Sequence, residues 1–293
     1  MVDAGDETGG VLEIVEYTDP YCTWCWGSEP ILCKIQEVYG SQVRISFKAG
    51  GLVKDVGEFY DPANNIGGPG MMEQVATHWD EASRRHGMPV DTQVWRELEG
   101  FHSTYPANVA FKAAQLVNPA LGKKYLRRLR EAAAAERISI HEVEVQIQLA
   151  EDVGLDPEAF RLALEDGSAE EAFQKDLKEC REQGITGFPT FVIQNSRGAS
   201  RVLNGYSSFE LFERVFHELA GGTLLQQAIE ASDENIVNFV YKYGKVATKE
   251  VEVVFHLSPR ETREKLEQLL SAGKIATQRA GNGEFWLKLH ENE

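Results

Sequence analysis

The sequence predicts an α/β fold interrupted by a long helical insertion and followed by a small second domain, and three observations carry that prediction. First, Val11-Leu-Glu-Ile-Val-Glu-Tyr17 reads as a buried strand that stops at Thr18-Asp19-Pro20. Ser28 to Tyr39 then places apolar residues at helical spacing up to Gly40, and Gln42 to Phe47 alternates as a second strand closed by Gly50-Gly51. Second, from about Asp61 to Gly184 the spacing is helical throughout, over 70–86, 91–99, 106–117, 122–136, 141–153, 157–166 and 168–183. Third, the sheet resumes only after that block. Phe191 to Ile193 and Val202 to Leu203 read as a hairpin across Asn195 to Ala199, followed by a helix from Ser208 to Leu219.

The first domain therefore spans 11–220, and Gly221-Gly222 marks its end. Residues 223–293 carry a self-contained pattern of three or four helices and a terminal hairpin. Ser258-Pro259-Arg260-Glu261 starts a helix that stops at Gly273. Ile275 to Arg279 and Phe285 to Leu289, joined by the turn 280–283, then form a two-stranded wing, so the order is that of a winged helix. Residues 1–10 hold three acids and no apolar run, which predicts a flexible N-terminus rather than a secretory signal or anchor.

With 293 residues, 42% hydrophobic and 26% charged, the chain buries a full core. Its formal charge of -16 argues against a broad attraction to nucleic acid or anionic lipid and leaves room for a local basic patch. Arg260, Arg263 and Lys265 on the would-be recognition helix are interrupted by Glu261, Glu264 and Glu267, so protein docking or dimer contact suits the second domain better than DNA. No stretch is long enough to span a bilayer, and the expected compartment is the cytosol. Four cysteines there read as catalytic, metal-binding or buried rather than as a disulfide framework.

Chemistry concentrates at Cys22-Thr23-Trp24-Cys25, between the first strand and its helix. A helix N-terminus stabilises a thiolate, and a second thiol three residues on can resolve a mixed disulfide formed on the first. Far downstream, Gly184-Ile-Thr-Gly187-Phe188-Pro189-Thr190 precedes a strand, where Pro189 is expected to be cis and to leave the Phe188 backbone free to pair with an extended substrate. Tyr21, Trp24 and Trp26 either line a peptide groove or pack against the insertion. Zinc would need four ligands, and no second Cys pair or spaced His pair follows, so no metal is expected. Cys33, eleven residues after Cys22, lies about three turns along the helix and reads as a buried thiol; Cys180 reads as buried, with regulatory pairing as the alternative. His78, His86, His102 and His141 read as surface or capping residues.

Pro20-Tyr-Cys-Thr-Trp-Cys25 and Gly187-Phe-Pro-Thr190, separated by a helical insertion, resemble the DsbA-like branch of the thioredoxin superfamily, including its cytosolic FrnE-type members. The resemblance implies a thioredoxin-like fold and a thiol-disulfide oxidoreductase acting on a disulfide- or dithiol-bearing protein. By that likeness Cys22 is the nucleophile, Cys25 the resolver, and the Pro189 loop, with Phe188 and Thr190, faces them across the substrate groove. The family also places a buried acid six residues before the nucleophile, a position held by Glu16. It implies no organic cofactor and leaves glutathione open as a bound thiol. The Thr-Trp dipeptide is unlike the Pro-His of the strongly oxidising members. Members that act as glutathione transferases or isomerases carry serine where Cys22 stands. A second resemblance, to the SpxH (YjbH) adaptors that deliver a transcription factor to a protease, rests on Ser103-Thr-Tyr-Pro-Ala107, Ala172-Phe-Gln-Lys-Asp-Leu177 and the winged tail. It implies a partner held without turnover.

Overall fold

The computed structural model describes residues 12–289. The expectation for residues 1–10 lies outside that range. β1 (Leu12–Thr18), α1 (Thr23–Tyr39) and β2 (Val43–Ala49) form the expected β-α-β unit, with β1 and β2 parallel. α1 starts five residues before the expected helix. Its first turns are buried nearly all round, so no polar stripe betrays the period. The insertion holds a two-residue hairpin, β3 (Tyr60–Asp61) and β4 (Ile66–Gly67), and then seven helices. These are α2 (Met71–His86), α3 (Val94–Glu97), α4 (Tyr105–Val117), α5 (Pro119–Ala135), α6 (Val143–Asp152), α7 (Pro157–Glu165) and α8 (Ser168–Glu182). β5 (Thr190–Asn195) and β6 (Ser200–Asn204) complete an antiparallel hairpin against β1, giving the sheet order β2-β1-β5-β6, and α9 (Phe209–Ala220) packs on it. This is a thioredoxin-like fold with a helical insertion.

The C-terminal part runs α10 (Asp233–Tyr243), β7 (Lys245–Ala247), α11 (Thr248–Phe255), α12 (Pro259–Ser271), β8 (Ala276–Ala280) and β9 (Gly283–Leu287). Its sheet order is β7-β9-β8, so the wing has three strands where the sequence shows two. Strand β7 is only three residues long, too short for an alternating pattern to register.

The C-terminal part has a core of its own and also packs against the first domain. Its core of Ile236, Val240, Val251, Leu266 and Trp286 takes in Cys33 from α1, while Ala280 and Phe285 belong to the core of the helical block. The wing turn is held as well: the Asn282 amide donates to the Val90 carbonyl at 2.9 Å, and the Val90 amide donates to Asn282 Oδ1 at 2.9 Å. A methyl group at Gly281, whose φ is +52°, would lie 2.2 Å from the Val90 oxygen, so the close approach requires glycine. On α12, Arg260 pairs with Glu264, Arg263 with Glu267 and Glu284, and Lys265 with Asp233. None of these three cations stands as a free basic flank. No described helix is long and apolar enough to cross a membrane.

Candidate thiol site

β1 ends and α1 begins within five residues, and that tight connection sets the site. It is fixed by Asp19, which accepts from the amides of Tyr21 (2.8 Å) and Leu52 (2.7 Å), from Thr104 Oγ1 (2.7 Å) and from Asn108 Nδ2 (2.7 Å). Burial still raises the pKa of this carboxyl, against the pull of those donors. Cys22 follows as the N-cap of α1, in an extended backbone conformation, and its sulfur accepts from the Cys25 amide at 3.3 Å. The Cys22 thiol also donates to the Phe188 carbonyl at 3.4 Å, which ties the pair to the facing loop. Both cysteines are free thiols.

Cys25 is fully buried. Burial pushes its thiol well above the usual range, the hydrogen bond and charge of Cys22 and the charge of Glu16 add to this, and Arg130 opposes it. Glu16 lies under the pair on β1, wholly buried as expected, and burial raises its carboxyl to about 7 even though Arg130 pulls it down. Arg130 Nη2 donates to Glu16 Oε1 at 2.7 Å and also to Thr18 Oγ1, and Nη1 donates to Glu29. The other oxygen of Glu16 has no hydrogen-bond partner.

The charges continue away from the pair. Glu29 Oε2 meets Arg127 Nη1 at 3.3 Å, and Arg127 Nη2 donates to Glu250 Oε2 at 2.8 Å. Glu250, fully buried at the start of α11, accepts from the Ala247 amide at 2.7 Å and from the Cys33 thiol at 3.5 Å. A continuous run of ion pairs therefore joins Glu16, at the end of the site, to the C-terminal domain. Sequence reasoning missed Arg130, Arg127 and Glu250. The available signal was Arg130 itself, four residues after Leu126 and on the apolar face of α5.

Pro189 is cis to Phe188, as expected, in the loop facing the pair. Thr190 is buried and its hydroxyl donates to the Gly187 carbonyl at 2.8 Å, so it braces the loop. The Phe188 ring lies over Gly50 so closely that a methyl group there would sit 2.1 Å from it. A cavity of about 550 Å³ opens beside Cys22, walled by Trp24, Tyr60, His78, Trp79 and Phe188, with Tyr21 and Phe101 deeper in. Trp24 Nε1 donates to His78 Nε2 at 3.1 Å, and Tyr60 stands 65% exposed at the rim.

Two expectations are corrected. Trp26 does not reach the groove: it is 1% exposed, donates to the Pro89 carbonyl at 2.9 Å and meets Phe285 edge-on. Two residues after Trp24, it points to the other side of the helix. His86 is neither surface nor cap. It is fully buried, accepts from the Met88 amide at Nδ1 (3.0 Å), and therefore presents Nε2–H to Thr23 Oγ1 at 3.3 Å. Burial lowers its pKa to about 4. Cys33 and Cys180 are buried as expected, and burial raises Cys180 to about 11. Among the described residues no group of three or more His, Cys, Asp or Glu is placed to hold a metal ion.

The family model described as Thioredoxin matches residues 16–214, which take in both the Cys pair and the Pro189 loop. Two full-length relatives decide the branch. The ClpXP adapter protein SpxH of Halalkalibacterium halodurans is 30% identical over 277 residues, covering 94% of this chain and 88% of that protein. The chain belongs to the thioredoxin family, in its SpxH branch. The ClpXP adapter protein SpxH of Bacillus subtilis is 28% identical and covers 95% of this chain and 89% of its own length. Among solved structures, the cytosolic disulfide reductase DsbM from Pseudomonas aeruginosa with GSH superposes with a TM-score of 0.55 at 23% identity, over 71% of this chain and all of that one. At that identity the likeness shows the fold alone. It also marks a difference in extent, because the SpxH proteins match through the C-terminal domain and the reductase does not.

Proposed function

We propose that this chain is a protein adaptor of the SpxH type, which holds a client on its thioredoxin-like domain and delivers it to a ClpXP-type protease. One observation carries the reading: similarity to the adapter proteins covers 94% of the chain, whereas the likeness to a disulfide reductase ends at 71%. The joint between the domains supports it. Burying Glu29, Arg127 and Glu250 in one run costs desolvation that a loosely tethered appendage would not need, so the two domains act as one body. In a reaction with purified ClpXP, the chain should accelerate degradation of a protein captured from lysate on the immobilised chain; an unchanged degradation rate rejects the adaptor.

A second reading is favoured by the thiols themselves. With Cys22 on the helix N-terminus, Cys25 beneath it and Glu16 poised near neutrality, the site has the parts of a dithiol reductant. Cys22 thiolate attacks a client disulfide and forms a mixed disulfide, releasing one client thiolate. Cys25 gives its proton to Glu16 and attacks Cys22 Sγ, releasing the second client thiolate. The client disulfide gains two electrons and the Cys pair is oxidised to a disulfide. Insulin reduction that disappears in Cys22→Ser supports this reading; wild-type protein without turnover removes it.

A further inference from the structure

A second crevice, of about 680 Å³, lies between α1, β2 and α5 on one side and the α10–β7 connection on the other, and shares no lining residue with the thiol cavity. Its floor is apolar, with Leu32, Ile45, Phe47 and Leu126, and Tyr241, 44% exposed, forms part of its lip. Its charge is unlike the rest of the molecule. In a chain of net charge -16, this lining carries seven cationic side chains against three carboxylates.

Four of those cations are committed internally: Arg127 to Glu250, Arg128 and Lys245 to Glu136, and Lys242 to Glu37. Lys123, Lys124 and Lys288 have no carboxylate within ion-pair distance among the described residues, and neither has Arg44, which stands beside the rim on β2. The Lys123 ammonium donates to the Ile45 carbonyl at 2.5 Å, and burial together with the charge of Arg44 lowers its pKa. Like charges gathered over an apolar floor repel one another, and a bound anion relieves that repulsion. A bare phosphate would leave the floor unused. An added strand is blocked as well, because the carbonyls of Ile45 and Phe47 on the open edge of β2 are taken by Lys123 and by Gln115 Nε2 at 3.3 Å. A helix presenting side chains fits both constraints.

We infer that this crevice docks an acidic amphipathic helix of a partner protein, with apolar side chains on the floor and carboxylates on Lys124 and Lys288. The inference goes beyond the thiol site and involves no protease, so it stands on peptide binding while the adaptor reading stands on degradation.

The test titrates the full chain into a fluorescein-labelled peptide, about fourteen residues long, with Leu on one helical face and Glu on the other. Binding is read by fluorescence anisotropy. Lys124→Glu with Lys288→Glu, both at exposed positions, should weaken binding by about tenfold or more, and added salt should weaken the wild type. Lys175→Glu with Lys178→Glu makes the same change in net charge on the exposed face of α8 and should leave binding unchanged. Equal binding by the Lys124/Lys288 double variant overturns the inference. Equal binding of a peptide with the same Glu count and no Leu also overturns it, since the site would then take any polyanion. Wild-type dimers in sedimentation that the double variant abolishes would make the occupant a second copy and overturn it too.

Discussion

Helix α1 carries two buried thiols in nearly matching surroundings, and only one of them is equipped for chemistry. Cys25 sits near Glu16 and Arg130, and Cys33 sits against Glu250 and Arg127, the two arginines three residues apart on α5. Burial raises both thiols, a carboxylate raises each further, and an arginine pulls each back. What separates them is company. Cys25 has Cys22 at the helix N-terminus, on an open cavity and facing the Pro189 loop, while Cys33, at the wall of the second crevice, has no second thiol and packs into the core of the C-terminal domain. A buried thiol, acid and arginine together therefore make a structural joint as readily as a proton relay. The helix N-terminus and the groove decide which it becomes.

The largest effect expected from this comparison is on stability. Arg130→Met strands Glu16 in the core, leaves Glu29 with Arg127 alone, and should cost about 3–5 kcal/mol, measured by urea unfolding. Arg127→Met should cost less, because Arg127 keeps some solvent contact. If the order were reversed, the thiol end would not be the more tightly held of the two. Next, Gly50→Ala should cost about 1–3 kcal/mol by driving its methyl into the Phe188 ring. It should also speed proteolysis within 184–190 and leave cleavage of the C-terminal domain unchanged; uniform loosening would contradict the local account. Third, limited iodoacetamide should modify Cys22 ahead of Cys25, Cys33 and Cys180, whose thiols burial keeps protonated. Peptide mapping reads this, and early labelling of Cys33 would erase the distinction drawn above.

The smallest effect is a pH dependence. Folding lifts the Glu16 carboxyl from 4.5 to about 7, so folding favours the protonated form. Its contribution is complete below pH 4.5 and is lost as pH rises through 7. Glu16→Gln removes that titration, so the Tm of the variant minus that of the wild type should increase between pH 5 and pH 8. A flat difference would mean that Glu16 is ionised across the range.

Much of this site is legible in the sequence because its parts are local. Cys22 and Cys25 follow from one strand-to-helix passage and Pro189 from a loop that opens a strand, while Glu16 comes from the family likeness. What the sequence conceals is long-range pairing. Asp19 stands in the turn that ends the first strand, and nothing local marks it for Thr104 and Asn108 at the start of α4, or Arg127 for Glu250 of α11. Trp26 misleads for a related reason: beside a reactive pair an aromatic suggests a groove, and only the helical phase turns it toward the wing. The second domain is visible as elements but not as a packed partner, since no local pattern says that Cys33 will complete its core.

The central claim is that this face of the molecule holds a partner rather than turning it over. The most direct measurement is client degradation by ClpXP with the Cys22→Ser/Cys25→Ser double variant beside the wild type. The account predicts equal acceleration by both proteins, with no insulin reduction by either. Loss of delivery in the double variant, together with thiol-dependent turnover by the wild type, would contradict it.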